Sequence, residues 1–497
     1  MSQDFSVHLA IDLGASNGRV IAGLFEEGTM TLEEVHRFDN EPIEKNGGLY
    51  SDFDGLWQGI LEGLGMAVHR YGADRIQSIG VDTWGVDFGY LDDEGNLLSP
   101  PRQYRDLRNA DALRRLTELV PASEIFEESG IQFMEINSSV QLVAELEAED
   151  SLIPRADQFL MIPDLVNYRL TGIARCERTN ASTTQLLRPV ERDWSWKLFD
   201  ALGIPRRIAP ELIDAGAVIG VVEETVCQST GLSSKTRVVT VGSHDTASAV
   251  AAIPAAEHSR YAYLSSGTWS LLGVEVDRPI INDLALDYNL TNEAGVFGNI
   301  RLLKNINGLW PVQECRRIWN EEGQDWGYAD LAKMAGEVEG FQSLIDPDEE
   351  RFSRRDDMPG MIREYCRETG QIVPETPGEV LRVIGDSLAL KVRYVLSHLE
   401  DLVGYKVDVL HIIGGGGHDD SLNQAIANSI QRPVVVGPFE ATAAGNIMMQ
   451  VLACGKVDSL AAGRKVIRKS FGTKTYQPED SGAWEEAYQS FTKLLKD

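Results

Sequence analysis

One small device is written twice in this sequence. Residues 7–13 read as a buried strand, Gly14-Ala15-Ser16-Asn17-Gly18-Arg19 as a tight turn and residues 20–25 as a returning strand. Residues 261–264, the turn Ser265-Ser266-Gly267-Thr268 and residues 271–276 repeat that order. A chain that begins both of its halves with the same hairpin is expected to fold as two related α/β units. The signals that follow agree. Residues 54–71 space Leu56, Ile60, Leu64, Ala67 and Val68 as a helix does and stop at Gly72, before a strand over 76–82. Residues 238–241 read as a strand that runs into Gly242-Ser243-His244-Asp245-Thr246 and a small-residue helix over 247–252. In the second half, residues 378–403 carry Leu381, Ile384, Leu388, Val392, Val395 and Leu399 three or four apart. A strand over 407–413, the run Gly414-Gly415-Gly416-Gly417 and a helix over 421–430 follow, with Asp419, Asp420 or Ser421 as its cap. Residues 105–235 read as an insertion of longer helices, and the stretch after Pro254 as the boundary between domains 1–253 and 254–497.

Charge narrows the partners. With 46 Lys+Arg against 76 Asp+Glu the net charge is -30, so DNA or RNA would be repelled over most of the surface. A small anion is still acceptable where backbone N–H groups, a helix N-terminus or a metal ion meet it locally. The five cysteines, Cys176, Cys227, Cys315, Cys366 and Cys454, are odd in number and never form a C-x-x-C pair, which argues against a disulfide framework or a zinc ribbon. The first residues lack the basic and apolar stretches of a signal peptide, and no apolar run is long enough for a membrane helix. A cytoplasmic protein with no nucleic-acid or membrane partner is expected.

Each motif has a plain reading beside its chemical one. Residues 14–18 match G-x-S-x-G, the nucleophile elbow of serine hydrolases, but an elbow needs a helix after the turn, and Val20-Ile21-Ala22-Gly23 continues as strand. A structural hairpin is one alternative. The other is a phosphate hairpin, in which tip N–H groups with Ser16, Asn17 and Arg19 face phosphate oxygens and Asp12 faces a hydrated Mg²⁺. The glycine run fits neither G-x-G-x-x-G nor a P-loop. Asp245, where a strand ends and a helix begins, is either a first-turn carboxylate stabilised by the helix dipole or a general base that takes a hydroxyl proton during attack on a γ-phosphate. Trp84, with Asp82, Asp87 and Tyr104-Arg105-Asp106, suits either a sugar face or the core. His8, His398 and His411 read as structural.

Taken together, Ala10 to Arg19, Leu264 to Ser270, Ile412 to Gly416 and Glu440 to Asn446 resemble the two phosphate motifs, the adenosine motif and the following helix of the FGGY carbohydrate kinases. That family lies in the superfamily of sugar kinases, heat-shock 70 proteins and actin, and the likeness spans nearly the whole chain. Val81 to Phe88, Tyr104-Arg105-Asp106, Ser243 to Ser248 and Lys304 to Trp310 resemble one ketose-specific branch. The resemblance implies two ribonuclease-H-like domains of the actin-like ATPase superfamily around a central cleft. It implies ATP-dependent phosphorylation of a small ketose, with Mg²⁺, by a monomer or small homo-oligomer. On it, Asp245 is the catalytic base, and Gly85, His244, Asp245, Thr246 and Asn305 contact the ketose. Ala15, Ser16, Asn17, Gly18, Arg19, Thr268, Gln313 and Gly415 contact ATP. Gly417-His418-Asp419-Asp420 departs from the family pattern and puts an acidic pair beside the expected adenine contacts. The alternatives are a kinase for another ketose, such as L-fuculose or a pentulose, and a nucleotide-gated chaperone or filament protein.

Overall fold

The computed structural model describes residues 5–479 and 482–495. Its chain forms two compact units, one from residues 1–254, 275–302 and 441–471, the other from 255–274, 303–440 and 472–497. Pro254 therefore ends a stretch of the first unit, but the units are not the two contiguous blocks, 1–253 and 254–497, expected from the sequence. The cause is chain crossing: the ends of two long strands, Trp269–Val276 and Ile300–Asn307, and the helices Asp283–Asp287, Ala441–Ala453 and Leu460–Ser470 of the second half belong with the first unit.

In the first unit, β1 (Ser6–Leu13), β2 (Asn17–Glu26), β3 (Thr29–Asp39), β4 (Ile76–Thr83), β5 (Val218–Val221) and β6 (Arg237–Val239) form a sheet of order β5-β6-β4-β1-β2-β3. β1, β4 and β6 run parallel, β2 pairs antiparallel with β1, and β3 antiparallel with β2. β1 is buried from Val7 to Leu13 because helices cover both faces of the sheet. Helix Phe53–Tyr71 brings Gly63 against Val20, and helix Ala441–Ala453 brings Ile447 against Gly23 on the other side of β2. The first of these starts on Asp52, whose carboxylate accepts from Gly55 N at 3.0 Å. The inserted segment has its own core around Phe159, Trp194 and Phe199.

The second unit repeats the plan. β7 (Tyr261–Ser266), β8 (Trp269–Val276), β9 (Ile300–Asn307), β10 (Val409–Ile413), β11 (Val434–Val436) and β12 (Lys474–Tyr476) stand in the order β9-β8-β7-β10-β11-β12. β7, β10 and β11 run parallel, β8 pairs antiparallel with β7, and β12 closes the edge antiparallel. These six strands repeat the order of the first sheet, and Thr291–Ala294 adds a seventh beyond β9. Helix Pro377–Val403 is set by a capping box between Thr376 and Glu379. The glycine run opens at Gly414, with φ of 88°, and tightens into one 3-10 turn, Gly415–His418.

Candidate active site

In the first unit the chemistry collects at the carboxyl ends of the parallel strands, where an open α/β sheet presents ligand-binding groups. Asp12 on β1 and Asp82 on β4 are register partners, and Thr83 bridges to His244 in the segment after β6. Asp82 is fully buried. Burial first, then the charge of Asp12, pushes its carboxyl well above the usual carboxylate range. Its Oδ2 accepts from Asn446 Nδ2 at 2.6 Å, and its Oδ1 is buried without a hydrogen-bond partner among the described residues. Asn446 cannot turn away, since its Oδ1 accepts from Gln450 Nε2 at 2.6 Å. Gln450 Oε1 in turn accepts from Ser78 Oγ at 2.7 Å, and Ser78 Oγ lies 2.7 Å from His8 Nδ1. His8 is thus a buried structural histidine, its pKa lowered to about 4 by desolvation and by Lys456.

Asp245 opens helix Asp245–Ala251, so it is a first-turn carboxylate, as the plain reading has it. Its side chain nonetheless stays 34% exposed. Oδ1 accepts from Thr246 N and, at 3.1 Å, from Thr246 Oγ1, while Oδ2 takes no hydrogen bond among the described residues. One oxygen is fixed and the other is available, which is the geometry a general base needs. The turn before it is anchored by the buried Glu177, whose Oε2 accepts from Ser243 N at 3.1 Å and Ser243 Oγ at 2.7 Å. His244 N donates to Thr179 Oγ1 at 3.2 Å, and Thr179 Oγ1 donates to the same Glu177. Asn180 Nδ2 donates to Ser243 O at 3.3 Å and Trp84 O at 3.2 Å, tying this turn to the one holding Gly85. A Cβ on Gly85 would come within 2.9 Å of the Thr183 side chain, so close packing already requires glycine there. Trp84 Nε1 donates to Asp87 Oδ2 at 2.9 Å, and burial raises the pKa of Asp87 to about 7.

The first hairpin continues into β2, which removes the nucleophile-elbow reading of Ser16. Ala15 and Ser16 are exposed at its tip, Gly14 N donates to Asn17 O at 2.9 Å, and Arg37 Nη1 holds Asn17 Oδ1 at 2.9 Å. Gly18 is buried against Phe38, where a Cβ would lie 2.3 Å from the ring. Arg19 is paired with Asp12.

The remaining expected contacts belong to the second unit. Thr268 Oγ1 donates to Gln313 Oε1 at 3.1 Å, so two expected ATP contacts already touch each other. Asn305 lies half-buried on β9. A Cβ on Gly416 would lie 2.0 Å from Ser266 Oγ, whereas one on exposed Gly415 would meet nothing within 4 Å. Of the acidic pair, Asp419 caps helix Asp420–Ile430 by accepting from Leu422 N at 3.0 Å. Asp420 is paired with Lys474 at 2.7 Å and with the Tyr476 hydroxyl. Both are structural. Sequence reasoning missed Glu177, Glu293 and Arg301, which sit in no motif, and the role of Asn446 at the end of the Glu440–Asn446 motif, since the contacts that matter cross long chain separations. The one available signal was a charged or amide side chain inside an otherwise apolar strand or helix.

Among the described residues no three His, Cys, Asp or Glu side chains are grouped to hold a metal, and no helix is long and apolar enough to cross a membrane. Comparison with known proteins gives one consistent result. Residues 7–252 match the N-terminal domain model of the FGGY family of carbohydrate kinases, and residues 262–454 its C-terminal domain model. A rhamnulokinase of Bacteroides thetaiotaomicron is 44% identical over 496 residues, 100% of both chains. The rhamnulokinase of Bacillus subtilis is 38% identical, covering 95% of this chain and 96% of its own. Among solved structures, a ligand-bound xylulose kinase from Lactobacillus acidophilus superposes with a TM-score of 0.80 at 17% identity, over 98% of this chain and 96% of that one. Plasmodium falciparum glycerol kinase with ADP gives 0.79 at 15% identity, over 99% of each chain. With both domain models matched in order, and with relatives this similar along their whole length, the chain belongs to the FGGY family of carbohydrate kinases.

Proposed function

We propose that this sugar kinase transfers the γ-phosphoryl group of ATP to the 1-hydroxyl of L-rhamnulose, giving L-rhamnulose 1-phosphate and ADP. The observation that carries the reading is Asp245: one carboxylate oxygen pinned by Thr246, the other without a hydrogen bond among the described residues, on a partly exposed side chain at the carboxyl ends of the first sheet's parallel strands. The full-length similarity to rhamnulokinases supports the choice of sugar.

In this reading Asp245 Oδ2 accepts the hydroxyl proton while the oxygen attacks phosphorus. The P–O bond to ADP breaks, and the proton remains on the carboxylate until product leaves. His244, Gly85 and Asn305 orient the ketose. Thr246 acts chiefly through Asp245, because both of its donors are engaged there. The exposed tip Ala15-Ser16-Asn17 with Gly18 and Arg19 receives the phosphates, and Thr268, Gln313 and Gly415 are the further nucleotide contacts. The site's hard carboxylate oxygens and the orphaned Asp82 Oδ1 suit a hydrated Mg²⁺ better than a transition metal. Asp12 would hold it through water, and it would supply charge neutralisation on the phosphates. A cytoplasmic location is part of the proposal, supported by the scattered, odd-numbered cysteines.

Asp245→Asn removes the proton acceptor and little else. Turnover should fall by about a thousandfold while calorimetric ATP binding changes less than about threefold. Turnover within tenfold of the parent would reject Asp245 as the base.

A further inference from the structure

Behind His244 lies a group of charged side chains that the reaction as described does not use. Arg301 on β9 has no exposed side-chain surface, and Glu293, on the preceding strand Thr291–Ala294, is 7% exposed. Arg301 Nη2 lies 2.9 Å from Glu293 Oε2 and 3.0 Å from His244 Nδ1, and Arg301 Nε donates to Ala294 O at 3.2 Å. Nη1 is buried with no hydrogen-bond partner among the described residues. As mere packing this is a poor choice. A buried N–H without a partner costs about 1–3 kcal/mol, and an apolar side chain of similar volume would often be as stable.

The two neighbours of His244 Nδ1 ask opposite things of it. Guanidinium is only ever a donor, so contact with Arg301 requires a bare lone pair on Nδ1. A carboxylate is only an acceptor, and Glu293 Oε2, 3.3 Å from Nδ1, would draw a proton onto it. The shorter contact goes to Arg301, which also satisfies the carboxylate. Nδ1 is then bare and the ring's proton stands on Nε2, 3.5 Å from Asp245 Oδ1, the oxygen that Thr246 also holds.

We infer that Arg301 and Glu293 are positioning residues that fix His244 as its Nε2–H tautomer, so that the imidazole donates toward Asp245 and the bound sugar. The inference rests on the proposed kinase reading for its purpose, though not for its test.

The test is nitrogen NMR of the full chain with ¹⁵N-labelled histidine, His244 being identified by the signal lost in His244→Asn. The expected result without substrate is a bare Nδ1 and a protonated Nε2. Arg301→Met leaves Glu293 as the sole neighbour of Nδ1 and should move the proton there. It should also lower kcat at least tenfold with the nucleotide KM within twofold, and Arg301→Lys should recover part of the loss. A protonated Nδ1 in the parent, or an Arg301→Met protein with parental His244 signals and parental kcat, overturns the inference. Should Arg301→Met fail to fold, Glu293→Gln decides: the carboxylate gone, Nδ1 should stay bare, and a protonated Nδ1 there refutes the assignment. The tautomer is read without turnover, so inactivity toward rhamnulose would reject the proposed function while the NMR result judges Arg301 separately.

Discussion

Gly445 sets where the proposed base can be. It lies in helix Ala441–Ala453, pressed against helix Asp245–Ala251, and a Cβ built on it would stand 1.8 Å from Ser248 O and 2.6 Å from Ser248 C. Real Cβ atoms essentially never approach closer than 3.0 Å, so Gly445→Ala must drive the helices apart by about 1.2 Å or more. Neither helix can yield by a rotamer change, because the obstructing atoms are backbone. Ser248 Oγ donates to Gly242 O at 2.7 Å, and the residue after Gly445 is the Asn446 that holds Asp82, so the strain is passed to both sides of the site. Overpacking of this kind costs about 1–3 kcal/mol, against about 1 kcal/mol gained in helix propensity. The kinetic effect should be the larger, since a displacement of about 1 Å in a catalytic group can cost about a hundredfold in rate. The assay is a thermal melt beside steady-state kinetics, with Gly385→Ala as control. Gly385 lies in helix Pro377–Val403 with nothing within 4 Å of its Cβ position, so the same change there should leave kcat intact and stability equal or higher. A Gly445→Ala protein that melts and turns over like the parent would refute the claim that this contact places Asp245.

Gly415→Ala tests the opposite case. The protein leaves open space above this residue, so the melting temperature should not fall, while the KM for ATP should rise at least fivefold if the nucleotide lies there. An unchanged KM would remove Gly415 from the nucleotide site. Asp87 gives a pH test. Its folded pKa is raised from 3.8 to about 7, mainly by burial, so between those values the folded chain holds a proton the unfolded chain has lost. Stability from this group is therefore lost as pH rises through that window, by at most about 4 kcal/mol. In melts from pH 4 to 7, the difference in melting temperature between Asp87→Asn and the parent should move in the variant's favour with rising pH, and a flat difference would count against a proton on Asp87. Glu177→Gln keeps the shape of the side chain but turns one acceptor toward donors. Calorimetry should show a loss of stability of about 1–3 kcal/mol, with kcat falling as the Ser243-His244 turn loosens.

Local features were legible in the sequence because local physics decides them. Both hairpins announce themselves by apolar runs around small-residue turns, and their observed strands, Ser6–Leu13 with Asn17–Glu26 and Tyr261–Ser266 with Trp269–Val276, differ from the expected spans only at the ends. The helix after the glycine run starts where a cap was expected, on Asp419. Asp245 could be singled out because it stands at a strand-to-helix turn. What could not be read is everything that depends on chain crossings. Asn446 reaches Asp82 across 364 residues, Glu177 reaches Ser243 across 66, and Arg301 reaches His244 across 57. No periodicity joins such pairs. The division into units was hidden for the same reason, since helix Ala441–Ala453 follows β11 in sequence yet packs on the first sheet through Gly23 and Gly80. The partners of Asp420 were hidden too, because Lys474 and Tyr476, which pair with it, lie far along the chain.

On the proposed reading this site moves phosphate onto one particular ketose. Coupled ADP detection with L-rhamnulose, L-fuculose and a pentulose as competing acceptors reads it out directly. L-Rhamnulose should give the highest kcat/KM, with phosphorus NMR placing the product's phosphate on the 1-oxygen. A better rate with another sugar, or ADP release indifferent to sugar, would contradict it.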